Sequence, residues 1–313
     1  MAPLDLVDKG IIAELEGNCR QSYRALARKI GVSSKTIRTR IEKLVELGVI
    51  QRFIVELNPE ILGAHLVIAE VSTLGSEDTH EFIYQIGQSP VVRLVSRLAD
   101  GKYDVEAEVR GKMGTVNFGQ FLHGLDRVSD VEIHDVIEMH PHITTEAFVK
   151  PQALNFDFTK LELNVLRCLR ENPRMPVVDI ARRTEMTAKR VRMVLRQLQA
   201  SGTLRFTLEW LRSSGDQIEF RSRTRYNTQN TSPRKFVTWL EQRYPLEYWT
   251  SYLLTDEPTL LLDFAVDTLQ HVEAVDLELK ESPYSTMVHT TIMFPHRKFA
   301  GLGENQLNSL LDT

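Results

Sequence analysis

The sequence predicts an α+β fold in which a three-helix segment with a trailing strand alternates twice with a βαββαβ segment. Three observations lead there. Apolar residues three and four apart mark the helices, a change to period two marks the strands, and the chain matches itself at a shift of 154 residues, as from Leu15 to Leu169. A length of 313 residues leaves room for roughly two to four domains. A hydrophobic fraction of 42% supports compact cores.

Leu6, Ile11, Ile12 and Leu15 line a first helix, which Gly17-Asn18 breaks. Ser22 to Ile30 forms a second, with Leu26, Ala27 and Ile30 inward, and Gly31-Val32 turns the chain. A third helix runs from the N-cap Ser33 to Leu44, with Ile37, Ile41 and Leu44 on its inner face and Gly48 as its stop. This is a helix-turn-helix order. The β-branched run Val49–Leu57 reads as a wing, ended by Asn58-Pro59. From Ala64 the period becomes two. Strands are expected at 64–73, 91–99, 103–110 and 131–143, with helices at 77–88 and 115–125. That order is the split-βαβ or ferredoxin-like plan.

The third-helix region then recurs without a gap: Ala27-Arg28 falls on Ala181-Arg182, Lys35 on Lys189, Arg38 on Arg192, Leu44 on Leu198 and Gly48 on Gly202. Met139, Pro141 and His142 fall on Met293, Pro295 and His296 at the same shift. The chain therefore reads as a tandem duplication. Its expected domains are 1–62 and 151–212, winged helix-turn-helix, and 63–150 and 213–313, ferredoxin-like. The second half contributes strands at 204–210, 217–225, 248–254, 260–266 and 286–294, and helices at 177–184, 187–200, 233–243 and about 269–279.

The outer face of the third helix carries cations and hydroxyls, the chemistry of a DNA major groove. In the first copy the DNA-facing set is Ser33, Ser34, Lys35, Thr36, Arg38, Thr39, Arg40 and Lys43; in the second it is Lys189, Arg190, Arg192 and Arg196. The first set offers base-edge readout and the second a phosphate grip. The same residues also fit a solvated amphipathic face. The net charge of −4 does not favour nucleic acid, but a local basic face matters more than the sum. No apolar run approaches the roughly 20 residues that span a bilayer, and the start Met1-Ala2-Pro3-Leu4-Asp5 lacks a signal-peptide pattern. Cys19 and Cys168 have no metal-ligand spacing, so a cytoplasmic protein without cofactor or metal is expected. His134, His140 and His142 share one expected strand, with His289 and His296 near its repeat; with no acidic pair beside them they read as a strand face rather than a metal site.

The first half resembles the Lrp/AsnC (feast/famine) family of transcription regulators. The resemblance rests on Leu4-Asp5, Leu26-Ala27, Gly31-Val32-Ser33, Arg40-Ile41, Leu44, Gly48-Val49-Ile50 and Asn58-Pro59, and on Gly101-Lys102-Tyr103-Asp104 where the family has a Gly-x-Tyr-Asp turn. It implies a sequence-specific regulator binding double-stranded DNA, paired through its βαββαβ domains as a homodimer or an intrachain pseudo-dimer. It also implies an amino-acid-like effector near Gly101, Tyr103 and Asp104, with Asp104 available to an ammonium group. The aligned Thr255-Asp256-Glu257-Pro258 lacks the glycine and tyrosine, so a second such site is not expected. Two other readings compete. The duplicated length also resembles the fused siroheme decarboxylases, and a corepressor or assembly module would need no operator of its own.

Overall fold

The structure, a computed structural model, describes residues 4–139, 157–211 and 217–312. The first half runs α1 (Leu6–Gly17), α2 (Tyr23–Ile30), α3 (Ser34–Glu46), β1 (Ile50–Leu57), β2 (Ala64–Thr73), α4 (Thr79–Ile86), β3 (Val92–Arg97), β4 (Tyr103–Arg110), α5 (Gly111–His123) and β5 (Val128–Met139). The second half repeats this as α6 (Lys160–Glu171), α7 (Val177–Arg183), α8 (Ala188–Ala200), β6 (Leu204–Trp210), β7 (Ile218–Tyr226), α9 (Pro233–Arg243), β8 (Tyr248–Leu254), β9 (Thr259–Val266), α10 (Leu269–Glu281) and β10 (Ser285–Met293). It then adds β11 (Arg297–Lys298) and α11 (Gly301–Asp312), neither of which the periodicity indicates. His140, His142 and the 213–215 linker lie outside the described residues, as does the rest of the expected strand beyond Met139.

The chain compacts into two units, each drawn from both halves. One holds the helix-turn-helix segments. There, Ser22 and Ser33 cap α2 and α3 by accepting from Ala25 N and Thr36 N, which satisfies N–H groups the first turn leaves unpaired. Gly31 closes α2 in the left-handed region, φ 83°. Its counterpart Glu185 keeps that region without glycine, φ 54°. Thr159 opens α6 with a complete capping box, and Thr187 caps α8.

Each wing strand pairs with the other copy's: β1 and β6 form an antiparallel ribbon, from Ile50 opposite Trp210 to Leu57 opposite Leu204. Below it Val55, Leu57 and Ile61 share a core with Val165, Leu169, Val191, Leu195 and Phe206. The contact is reciprocal. Arg20 donates to the carbonyls of Pro173 and Met175, and Arg174 to those of Cys19 and Gln21. Burial pushes the Cys19 thiol up to about 12. α11 completes this unit: Leu307 and Leu311 enter the core, and Arg52 donates to both oxygens of Glu304 at 2.6 and 2.9 Å. Gly303 lies against the Leu57 carbonyl, where a Cβ has no room.

The other unit is a nine-stranded sheet, ordered β10-β7-β9-β8-β5-β2-β4-β3-β11. Each copy contributes four strands in the ferredoxin-like order and two helices on one face. Phe82, Ile86, Phe118 and Leu122 cover the first copy; Phe236, Leu240, Val275 and Leu279 cover the second. The copies join where β5 meets β8, from Val136 opposite Leu254 to Met139 opposite Ser251. The far ends also meet: Met293 bridges to Leu98, and Phe294 N donates to Arg97 O at 2.8 Å.

Candidate nucleic-acid interface

On α3, Ile37, Ile41 and Leu44 are buried, which aims Ser34, Lys35, Arg38, Thr39 and Lys43 at solvent. Ser33 spends its hydroxyl on the cap and on Thr36 Oγ1, 2.8 Å away. Arg38 donates through Nε to Glu42 at 2.8 Å, one turn on. Arg40 departs from the expected DNA-facing set. It turns back and donates to Asp8 on α1 at 2.9 Å, because its position on the helix lies between the outer face and the core. It braces the head rather than lining its outer surface.

On α8, Val191, Val194, Leu195 and Leu198 are buried, and Lys189, Arg190, Arg192 and Arg196 are exposed. Arg196 stands where α3 has Glu42, so the turn that tethers Arg38 to a carboxylate offers Arg192 only another cation. Arg182 and Arg183 flank this face and pair with Asp179 and Glu171. The two heads thus present different surfaces: one with hydroxyls and an acid among its cations, one with four cations and no acid along the helix.

At the Gly101 turn the expected triad is split by strand alternation. Gly101 takes φ 92° and donates to Leu98 O at 3.0 Å. Tyr103 points to the helix side, fully buried, edge-on to Phe82 at 4.8 Å and donating to Glu77 at 2.9 Å. Asp104 points the other way and is equally buried. Its carboxylate accepts from Arg221 Nη1 at 2.6 Å, and Arg221 also grips Asp263 at 2.6 and 2.9 Å. Asp104 is therefore occupied by a side chain of the second copy rather than open to an ammonium group. Burial, with Glu106 and Asp263 adding to it, pushes the Asp104 carboxyl up to about 7 against the pull of Arg221. Near the second turn Glu257 accepts from Arg223 at 2.8 Å and Arg225 at 3.0 Å, and His134 pairs with Glu132 at 3.0 Å. Sequence reasoning passed over Arg221, although a period-two signal was present: Asp104, Glu106 and Glu108 alternate on one strand, and Arg221, Arg223 and Arg225 on another.

Two capped helix-turn-helix heads with cationic outer helices, tied by a strand ribbon, define a DNA-binding regulator of transcription. The comparisons agree. A winged helix-turn-helix DNA-binding family model matches twice, at residues 4–51 and 158–205. The HTH-type transcriptional regulator FL11 of Pyrococcus horikoshii is 29% identical over 150 residues, 47% of this chain and 98% of its own length. An uncharacterized HTH-type transcriptional regulator of Pyrococcus abyssi is 33% identical over 138 residues, 44% of this chain and 93% of its own. The chain belongs to the Lrp/AsnC family of transcription regulators. Its whole-length fold is similar to that of the siroheme decarboxylase NirDL, with a TM-score of 0.57, 14% identity and coverage of 99% of this chain and 100% of that one.

Proposed function

We propose that this chain binds an operator with two unequal half-sites, α3 reading bases at one and α8 holding phosphates at the other. The observation that carries this is the reversal of charge between Glu42 and Arg196 at one aligned position. A carboxylate on a groove-facing helix repels phosphate and accepts from base amino groups, whereas a guanidinium is drawn to phosphate. The β1–β6 ribbon supports the pairing of both heads in one chain, an intrachain pseudo-dimer acting in the cytoplasm. Selection of genomic fragments by the purified full chain tests it. Two dissimilar half-sites about one helical turn apart, or a multiple of it, are expected. A symmetric palindrome sinks the proposal.

Modulation by an amino-acid-like effector belongs to the same reading. The left-handed Gly101, which brings backbone close to any bound molecule, supports it. An effector there meets Lys102, itself 3.1 Å from Glu70, and not Asp104. Thermal shifts across the standard amino acids test this; no shift with any of them rejects it. The relatives named as regulators favour a regulator over an enzyme, and the likeness to the decarboxylase is one of fold. A visible absorption band on mixing with siroheme would reopen the enzymatic reading.

A further inference from the structure

The faces that the two ferredoxin-like domains turn to each other differ in charge. The first copy contributes Leu66, Ile68 and Glu70 from β2 and Asp104, Glu106 and Glu108 from β4. Arg93 answers Glu106, Glu108 and Glu138 within that copy, at 3.3, 3.9 and 3.7 Å. The second copy contributes Arg221 and Arg223 from β7, Tyr252 from β8, and Leu261 and Asp263 from β9. Across the junction Arg221 meets Asp104 at 2.6 Å, Arg223 meets Glu70 at 2.8 Å, and the Tyr252 hydroxyl donates to Glu106 at 2.9 Å. The cation on Asp104 comes from the other copy. β7 holds arginine where β2, the strand in the same place of the first domain, holds only Leu66, Ile68 and Glu70.

We infer that these two faces are a matched pair: the acidic face of the first domain fits the arginine-bearing face of the chain's own second domain and is mismatched to another copy of itself. The physical reason is the cost of a buried, uncompensated carboxylate. In a pair of two first domains, each Asp104 would face Leu66, Ile68 and Glu70, with Arg221 absent. The face of the first copy thus selects the second copy over its own twin. It also excludes the acidic face of a second chain from the same seat. The inference rests on the pairing of both copies within one chain and is independent of DNA binding.

Charge reversal in the full chain tests it. D104R alone and R221D alone should lose soluble yield and unfold at lower temperature, and D104R/R221D in one chain should recover most of both. Co-expressed under different tags, the D104R and R221D chains should co-purify at least about tenfold more than two native chains do, because each supplies the charge the other lacks. Equal co-purification of the two combinations, or a double variant no better than either single one, overturns the inference. Where reversal leaves no soluble protein, D104N, R221M and their combination carry the test by thermal unfolding. A combined loss clearly smaller than the two single losses together supports the matched pair, and additive losses reject it. DNA retention by each folded variant is read alongside, so that failure of the pairing and failure of the operator reading are told apart.

Discussion

Gly31 and Glu185 occupy the same turn in the two heads, both with positive φ. A non-glycine residue in the left-handed region carries a penalty of about 1–2 kcal/mol, partly offset because glycine loses more freedom on folding. Glu185→Gly should therefore stabilise the chain by about 0.5–1 kcal/mol, read by urea unfolding; a loss of stability would show that the Glu185 side chain contributes more than its backbone costs. Asp104 gives a pH signature. Its folded carboxyl sits at about 7 against the usual 3.8, so between those values the folded chain holds a proton that the unfolded chain has released. Stability from this group is greatest below about pH 4, falls as pH rises towards 7, and is level above. Asp104→Asn should flatten that decline, seen as a smaller difference between unfolding midpoints at pH 5 and pH 7. An unchanged slope would show that Asp104 is not the source of the decline.

At the scale of elements, α3 and α8 make separable predictions. Arg38→Ala should cost about 1–3 kcal/mol on the selected operator and little on random DNA if it contacts a base edge. Arg196→Ala should weaken all sequences alike and reduce the slope of log affinity against log salt by about 1, the mark of one lost phosphate contact. Equal behaviour of the two variants in a competition assay would remove the division of labour. The helices were legible because local signals agree: cap residues Ser22, Ser33, Thr159 and Thr187 precede apolar residues at helical spacing. β11 is two residues long, and α11 begins Gly301-Leu302-Gly303, a weak helical start; both exist through tertiary contact. Arg40 was misplaced for a similar reason, since its partner Asp8 is a helix away. Asp104 and Arg221 lie 117 residues apart, and period two alone does not say which strands will face each other. Gly303 is the clearest case of a residue explained only by its neighbour. Gly303→Ala should lift the first turn of α11 off Leu57 and lower the unfolding temperature, while a native value would mean that Leu307, Leu311 and the Arg52–Glu304 pair hold the helix without that close approach.

At the scale of the whole molecule, the repeat explains what composition hides. A net charge of −4 is compatible with DNA binding because α3 and α8 each gather several cations locally, while acids such as Glu106, Glu108 and Asp263 are held in internal ion pairs away from those helices. The β1–β6 ribbon has a further consequence for the response to gene dosage. Regulators assembled from separate subunits must first meet, so their active concentration falls with a higher power of expression when the protein is scarce. With the single chain as the binding unit proposed above, translation of one message delivers both heads already joined, and promoter occupancy at low abundance should follow the number of chains to the first power.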